Sequence, residues 1–401
     1  MQIILCLAAA MICGLLLTRV VKPVHLPNVT GYLIAGLIIG PYCLGIFQES
    51  DAAVTDVLTD VALGFIAFSI GGEFRISNIK QVGTSSITIT FFQACLATLL
   101  VDAALLACGF PAPLSLTLGA ATAPAATLMV VRQYHAKGEV TSTLLPVVAM
   151  DDAVGLMLFS ISLPISQALA SNATLTVTSM LLQPLLEIVL SLAVGAGIGL
   201  LIALAMRFFH SKVNRISVAV AAVLLGSALA SIWNLSSLLL CMAIGAVLVN
   251  LRNDADELLE ITDAWTPPLF MLFFVLSGAE LDLAVVPTVG LLGVVYMIAR
   301  SLGKYFGSFL GATIAKSSPN IRKYLGLTLL PQAGVAIGMA QVALNALPEY
   351  GTQIQAVVLT ATLIYELIGP VITKLALTAA GEIQDSKKSK AKTEQSAGGA
   401  K

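Results

Sequence analysis

Charged residues are scarce in this chain of 401 residues. Asp, Glu, Lys and Arg together make up 11% of it, whereas hydrophobic residues make up 58%. Soluble domains carry about 25% charged residues, so the composition excludes an ordinary soluble globular protein. It is typical of a polytopic membrane protein, and we therefore expect the lipid bilayer to be the first partner of the chain.

Several functional signatures are also missing. No cluster of basic residues is interleaved with aromatic residues, so nothing supports nucleic-acid binding. The six cysteines lack the spacing of metal ligands and are interpreted as small packing residues. The chain has no P-loop, no zincin helix and no nucleophile elbow. We therefore expect neither an enzyme nor a bound cofactor.

The first apolar run has no Lys or Arg before it, and the first basic residues, Arg19 and Lys22, follow it. A cleavable signal peptide has the opposite order. The sequence therefore predicts a retained first helix with its N-terminus outside the cell.

The apolar runs predict an all-α membrane fold. A bilayer core needs about 20 apolar residues per helix, and half-helices are shorter. Divided at charged and Gly/Pro breaks, the runs predict thirteen transmembrane spans. They lie at 2–21, 28–46, 55–73, 83–108, 114–132, 141–168, 176–206, 214–232, 235–250, 265–279, 284–315, 322–346 and 353–378.

The basic residues predict the orientation of these spans. If the odd-numbered connections are cytoplasmic, all 21 basic residues except Arg300 and Lys304 lie on the cytoplasmic side. That bias is the positive-inside rule, and it favours thirteen spans with the N-terminus outside and the C-terminus inside.

Thirteen spans divide into six, a linker and six, and two motifs indicate an inverted repeat. Span 3 ends in FSIGGE at 68–73 and span 10 in VLSGAE at 275–280, with the glutamates on opposite predicted sides. Span 5 is interrupted by TAPAAT at 122–127 and span 12 by LPQAGV at 330–335. Proline removes a backbone donor, so both spans are expected to break near the midplane. Thr122, Pro124, Thr127, Pro331, Gln332 and Gly334 are the candidate residues of these breaks.

Two adjacent aspartates, Asp151 and Asp152, lie in the middle of the apolar span 6. A carboxylate at a helix centre costs about 2.5–3.5 kcal/mol on insertion scales, and intramembrane acids usually mark ion pathways. Lys304 in span 11 is the expected partner of Asp151 and would keep that aspartate ionised. Asp152 is then expected to alternate between a proton and a monovalent cation. A purely structural polar cluster is the alternative.

Other charged residues leave their roles open. Arg300 lies four residues before Lys304, and Glu366 lies in span 13, the repeat mate of span 6. They form either a structural pair or an accessory part of the ion site. Asp60 and Asp102 either line an entry funnel or face a helix interface, and Glu187 in the linker helix is equally undecided.

These motifs resemble the monovalent cation/proton antiporters, and within them the second bacterial family, over about residues 20–380. The resemblance rests on 26–41 (LPNVTGYLIAGLIIGP), 68–73, 122–127, 149–156 (AMDDAVGL), 301–307 (SLGKYFG) and 329–336 (LLPQAGVA). It implies that spans 5 and 12 cross as discontinuous helices, that Asp152 carries the cation or proton, and that Asp151 pairs with Lys304. One departure is that TAPAAT contains no acidic residue, so Lys304 or backbone groups would have to compensate the half-helix dipoles.

The resemblance also implies a homodimer in the bacterial inner membrane, with a domain that moves and a domain that dimerises. The dimerisation domain would comprise 1–73 and 214–279, and the core domain 83–168 and 284–380. Residues 176–206 would form a linker helix, and 381–401 a disordered cytoplasmic tail.

The expected function is the exchange of Na⁺, or of Li⁺ or K⁺, for H⁺. Asp-Asp members are typically electrogenic. One alternative is an organic-anion symporter, which needs a roomy amphipathic cavity. A second is a gated K⁺ efflux protein, whose relatives usually append a nucleotide-binding domain. A third is a proton-pumping subunit of a redox complex, which favours isolated Lys and Glu residues over one Asp-Asp site.

Overall fold

The computed structural model describes residues 2–24, 28–41, 43–46, 52–122, 127, 131, 134, 136–171, 183–209, 211–252, 254–281, 290–332 and 334–383. Throughout these ranges, the regular structure consists of fifteen α-helices and a 3₁₀ turn at Lys22–Val24. The all-α class predicted from the apolar runs is confirmed.

The first half of the chain contains α1 (Gln2–Val21), α2 (Asn28–Ile39), α3 (Ala52–Gly72), α4 (Ile76–Ala107), α5 (Ala112–Ala120), α6 (Glu139–Ala170) and α7 (Gln183–Ala205). The second half contains α8 (Lys212–Trp233), α9 (Ser237–Leu251), α10 (Ala255–Trp265), α11 (Pro267–Ala279), α12 (Gly290–Ile314), α13 (Pro319–Thr328), α14 (Gly334–Ala346) and α15 (Gly351–Ala379). Three helices begin at serine N-caps, where Ser211, Ser236 and Ser318 accept a bond from a first-turn backbone N–H.

Six of the described helices are long and apolar enough to cross a membrane, namely α1, α4, α6, α7, α8 and α15. The count becomes seven if α10 and α11, which meet at an angle of 50°, form one bent span. Shorter apolar helices, among them α2, α9 and α14, accompany them. The composition therefore makes this a polytopic membrane protein, and the thirteen-span count stays a prediction.

Two elements differ from the expected spans. α4 begins at Ile76 rather than at 83, and Gly83 interrupts it with a positive φ of 82° that glycine adopts without steric cost. The amphipathic helix α10 was not expected, because its first turn carries two acids, Asp256 and Glu257. Spans were predicted from long apolar runs, and a short helix with a charged first turn contains no such run.

Glycines set two reciprocal helix contacts between the predicted halves. A Cβ on Gly36 of α2 would lie 1.9 Å from the Val275 carbonyl oxygen of α11, and one on Gly278 of α11 would lie 2.3 Å from the Leu33 oxygen of α2. A second pair of elements, α3 and α9, approaches in the same way through Gly71 and Gly245. Spans 2 and 9, and spans 3 and 10, occupy matching places in the predicted inverted repeat. The contact between spans 2 and 10 therefore has a counterpart between spans 9 and 3.

The predicted core segments pack through α4 and α12. A Cβ on Gly303 would lie 2.4 Å from Cα of Ala97, and Gly307 and Gly311 meet α4 one and two turns later. Small residues at four-residue spacing let two helices approach closely. This contact holds the face of α12 that carries Lys304 inside the protein.

The start of the predicted tail is ordered. Glu382 is buried, and its carboxylate accepts hydrogen bonds from the backbone N–H groups of Val140 (2.6 Å) and Thr141 (2.8 Å). An acid at a helix N-terminus satisfies unpaired donors and complements the dipole. Glu382 therefore ties the end of α15 to the start of α6, which carries both aspartates. Residues 384–401 of the predicted tail lie outside the described residues.

Candidate functional site

Asp151 and Lys304 form an ion pair in the interior of the protein. The Lys304 ammonium donates to Oδ2 of Asp151 over 2.7 Å, and both side chains are fully buried. Burial of two charges is costly and is offset only when they are closely paired. Lys304 reaches α6 because the glycines of α12 bring its backbone against α4.

Asp152 is the next residue of α6 and has a different environment. It is half-buried, and its Oδ1 atom is inaccessible to solvent and has no hydrogen-bond partner among the described residues. Oδ1 of Asp151 also lacks one in that part of the chain. Two carboxylate oxygens with unused acceptor capacity therefore lie beside a neutralised charge, and hard oxygen ligands of this kind suit a small monovalent cation or a proton.

The chain at the end of α5 lies against α12 and against the interruption of span 12. α5 ends at Ala120, and the carbonyl of Ala121 accepts hydrogen bonds from the Tyr296 hydroxyl (3.0 Å) and the Gln332 amide (3.1 Å). The same Gln332 amide donates to the Tyr296 hydroxyl over 2.9 Å. The carbonyl end of a half-helix needs such donors, because no next turn supplies them.

The carbonyls at the interruption of span 12 are capped by Thr127 and Arg300. The chain leaves α13 after Thr328, whose carbonyl accepts a bond from the Thr127 hydroxyl over 2.7 Å. Arg300 donates to the carbonyls of Leu330 (2.7 Å) and Pro331 (3.4 Å). Because a helix C-terminus carries a partial negative charge, the guanidinium stabilises the break electrostatically as well.

One face of α12 thus contacts both helix breaks and Asp151. Tyr296, Arg300 and Lys304 are spaced four residues apart, are fully buried, and contact the break of span 5, the break of span 12 and Asp151 respectively. Sequence reasoning missed Tyr296. Its i−4 spacing from Arg300 was the available signal.

The other break residues have separate positions. Thr122 is buried beyond the end of α5, and Pro124 lies outside the described residues. Gly334 begins α14, where a Cβ would lie 2.8 Å from the Phe274 ring of α11. In the described residues, the carbonyls of the two breaks accept hydrogen bonds from Arg300, Tyr296, Gln332 and Thr127. The Lys304 ammonium donates to Asp151 instead.

Glu366 lies apart from the ion pair. It is fully buried in α15, and its Oε2 accepts a hydrogen bond from the hydroxyl of Thr30 in α2. Thr30 is a second residue that the sequence did not single out.

The undecided acids are scattered. Asp102 is buried against Gly119 of α5, Asp60 is exposed on α3, and Glu187 is half-buried on α7. Among the described residues, no group of three or more His, Cys, Asp and Glu side chains is arranged to hold a metal ion.

This arrangement of paired helix breaks and buried charges can be compared with known proteins. A sequence model of the family described as sodium/hydrogen exchanger, transmembrane, matches residues 7–379. The chain belongs to this family. It is therefore a member of the membrane-spanning cation/proton antiporters, as the motifs indicated, and its family is one of transporters and not of enzymes.

Two curated relatives of this exchanger family member have different descriptions. It is 30% identical over 153 residues to the iron transporter MagA of Paramagnetospirillum magneticum, covering 36% of this chain and 33% of that protein. It is 27% identical over 277 residues to KefB of Alkalimonas amylolytica, described as a candidate K⁺ efflux antiporter, covering 66% of this chain and 40% of that protein. The matches thus span a third to two-fifths of the length of these relatives.

The fold of the exchanger is similar to that of a solved antiporter. The sodium proton antiporter MjNhaP1 of Methanocaldococcus jannaschii at pH 8 superposes with a TM-score of 0.68 at 22% identity, covering 94% of this chain and 96% of that one. An electron-microscopy structure of the same antiporter gives a TM-score of 0.71 at 19% identity, covering 95% and 98%. The two proteins share a fold over nearly their whole lengths.

Proposed function

We propose that this exchanger couples the movement of Na⁺ across the membrane to the opposite movement of H⁺, with Asp152 as the residue that carries either ion. Competition for one carboxylate couples the two fluxes, because a proton and a cation cannot occupy it together. The observation that carries the proposal is the buried Lys304–Asp151 pair beside Asp152. It neutralises one aspartate and leaves oxygens of the neighbouring one available.

The proposed cycle is alternating access. The core domain (83–168 and 284–380) moves the aspartates between the two sides, relative to a dimerisation domain (1–73 and 214–279) that joins two copies of the chain. The caps of the two breaks support this division, because α5, α6, α12 and α13 are held together by side-chain bonds and can move as one body. Thirteen spans, an outside N-terminus and a bacterial inner-membrane location complete the proposal.

The exchange is proposed to be electrogenic. If two protons move against one cation, one net charge crosses per cycle, which is worth about 2.3 kcal/mol per 100 mV of membrane potential. Lys304 would supply the second proton when its pair with Asp151 breaks.

Proteoliposome exchange tests the function. The purified protein is reconstituted with a pH-sensitive dye inside the vesicles, and Na⁺, Li⁺ and K⁺ are added in turn. We expect Na⁺ to move protons most effectively. Since one curated relative is described as a K⁺ efflux antiporter, a larger response to K⁺ would assign the cation differently while keeping the mechanism.

Variants test the site. Asp152→Asn keeps the size of the side chain but removes the titratable charge, and we expect it to abolish exchange. Glu349→Gln is the control, because it removes the charge of a carboxylate at an exposed position before α15. Undiminished exchange in Asp152→Asn would refute the assignment. Lys304→Ala is expected to remove the voltage dependence.

A further inference from the structure

Glu366 is a buried acid without a basic partner. In the described part of the chain, no Lys, Arg or His nitrogen lies within 4.0 Å of its carboxylate. The buried ion pair there is formed by Lys304 and Asp151 and does not include Glu366. Its Oε2 accepts a hydrogen bond from the neutral Thr30 hydroxyl, and its Oε1 is buried without a partner in the described residues. An isolated carboxylate in an apolar interior costs far more than a neutral carboxylic acid, so such a group favours binding a proton.

Glu366 belongs to a row of polar groups on one face of α15. The polar side chains are those of Thr362, Glu366 and Thr373, at i, i+4 and i+11, and Gly369 lies at i+7 on the same face of the helix. The hydroxyls of Thr362 and Thr373 are buried and, like Oε1 of Glu366, have no partner in the described part. Buried polar groups normally have a hydrogen-bond partner, so these three groups have capacity to bind a proton or a water molecule.

This face of α15 meets the break of span 12. A Cβ on Gly369 would lie 2.7 Å from Cγ of Pro331. The row therefore passes the interrupted helix, one turn from Glu366.

The charged groups on the neighbouring elements are engaged elsewhere. α2, α5 and α14 contain no charged residue. On α12, Arg300 contacts the Leu330 carbonyl and lies 4.5 Å from the ring centroid of Tyr365, and Lys304 is paired with Asp151. On α13, Arg322 donates to the Ser317 carbonyl and Lys323 lies over the Tyr324 ring. His25, which precedes α2, lies outside the described residues.

We propose that Glu366 is a further proton-binding group of this antiporter, in addition to Asp152 and Lys304, reached along the Thr362–Thr373 face of α15 and joined to Thr30 across the boundary between the two proposed domains. This inference rests on the proposed function, because it assumes that α2 and α15 move relative to one another. The step is a simple protonation in which the carboxylate and one H⁺ give the neutral acid, and the reverse step releases the same proton.

The contact with Thr30 links the protonation of Glu366 to the movement of α15 relative to α2. A neutral Glu366 is compatible with the buried position against α2, where Thr30 supplies one hydrogen bond. An ionised Glu366 needs water or a counter-charge, so loss of the proton favours an arrangement in which α15 has moved away from α2. Movement of the core domain and release of this proton are therefore coupled.

Infrared difference spectroscopy tests the proton site without relying on transport. The purified protein is titrated from about pH 4 to about pH 9, the range in which buried carboxyl groups change protonation. We expect a carboxylic-acid C=O band that Glu366→Gln loses and that Asp152→Asn retains. Thr30→Val should shift the midpoint of this band, because the hydrogen bond to the carboxyl group is gone. The double variant Thr362→Val/Thr373→Val should slow its response to a pH jump.

The outcomes separate this inference from the proposed function. An unchanged carboxylic-acid spectrum in Glu366→Gln would overturn the inference, whether or not the protein exchanges ions. Absence of exchange in the wild type would instead overturn the proposed function. The infrared spectrum would still test whether Glu366 binds a proton. If Glu366→Gln does not fold, Glu366→Asp replaces it, and a band that does not move in that variant counts against the inference. In proteoliposomes, Glu366→Gln should also lose one titration from the pH profile of exchange.

Discussion

The ammonium nitrogen of Lys304 lies 2.7 Å from Oδ2 of Asp151, with both side chains fully buried. Each charge is tolerated in the interior because the other is present, and removal of either partner leaves an uncompensated charge. The pair therefore couples α12 to α6 energetically. It also fixes the position of Asp152, the next residue of α6.

Breaking this pair should destabilise the protein strongly. Asp151→Asn and Lys304→Gln are each expected to lower the free energy of unfolding by about 3–5 kcal/mol, since each leaves one buried charge unpaired. The double variant removes both charges and should lose less than the sum of the two. Thermal unfolding in detergent measures all four proteins, and additive losses would show that the pair contributes no coupling.

Arg300 should stabilise the break of span 12. Arg300→Met removes the donors to the Leu330 and Pro331 carbonyls, and bonds to a charged group are worth about 1.5–3 kcal/mol each. Arg300→Lys keeps the charge but lacks the planar fork, so its loss should be intermediate. The ranking is read from the unfolding midpoints. Equal stability of the wild type and both variants would contradict the capping role.

The contact between α4 and α12 should not tolerate a methyl group. Gly303→Ala places Cβ 2.4 Å from Cα of Ala97, and overpacking of this kind costs about 1–3 kcal/mol. Gly293→Ala on the same helix is the matched control, because a Cβ there meets no atom within 4 Å. The control should be neutral or slightly stabilising, since alanine favours the helix. Similar unfolding midpoints for the two variants would mean that the helices separate without cost.

Glu382 should hold the start of α6. Glu382→Ala removes the acceptor for the N–H groups of Val140 and Thr141, and loss of a cap costs about 1 kcal/mol. Glu349→Ala, at an exposed carboxylate before α15, is the control. Hydrogen exchange at the first turn of α6 should rise in the first variant only. If protection at Val140 stays unchanged in Glu382→Ala, the capping role is wrong.

Asp254 should make the free energy of unfolding fall in acid. Hydrogen bonds from Arg252 lower the pKa of the Asp254 carboxyl group. A carboxyl group with a lowered folded-state pKa contributes stability above its unfolded value of about 3.9, and the contribution is lost as the pH falls through the folded value. Asp254→Asn should therefore destabilise the protein at neutral pH and have less effect in acid. Unfolding midpoints that differ by a constant amount at every pH would contradict this.

Much of the fold could be predicted from the sequence because a bilayer imposes strong rules on composition. The helical class, the Gly-rich contact face of α12 and the positions of the two interruptions follow from apolar runs, glycine spacing and proline. Helix ends were less predictable. α10 and the start of α4 differ from expectation, because a polar surface helix and a glycine kink have no long apolar run to mark them.

The candidate site was only partly predictable. The proximity of Lys304 to Asp151 was expected from charge alone, since two buried charges of opposite sign need each other. Tyr296, Thr30 and the contact of Gln332 with Ala121 were not expected, because neutral polar side chains in apolar helices have many alternative partners. Arg300 was paired with Glu366 in one interpretation, whereas the structure places its guanidinium on the Leu330 and Pro331 carbonyls.

The sequence by itself determined that this is a helical membrane protein with a charged pair in one helix and a lysine in another. Those conclusions depend on transfer free energies, which act residue by residue and need no knowledge of the fold. Only the tertiary structure decided which atoms meet. It placed Arg300 on the break and Glu366 on Thr30, because a buried charge or carboxyl group takes the partner that helix packing brings within hydrogen-bond distance.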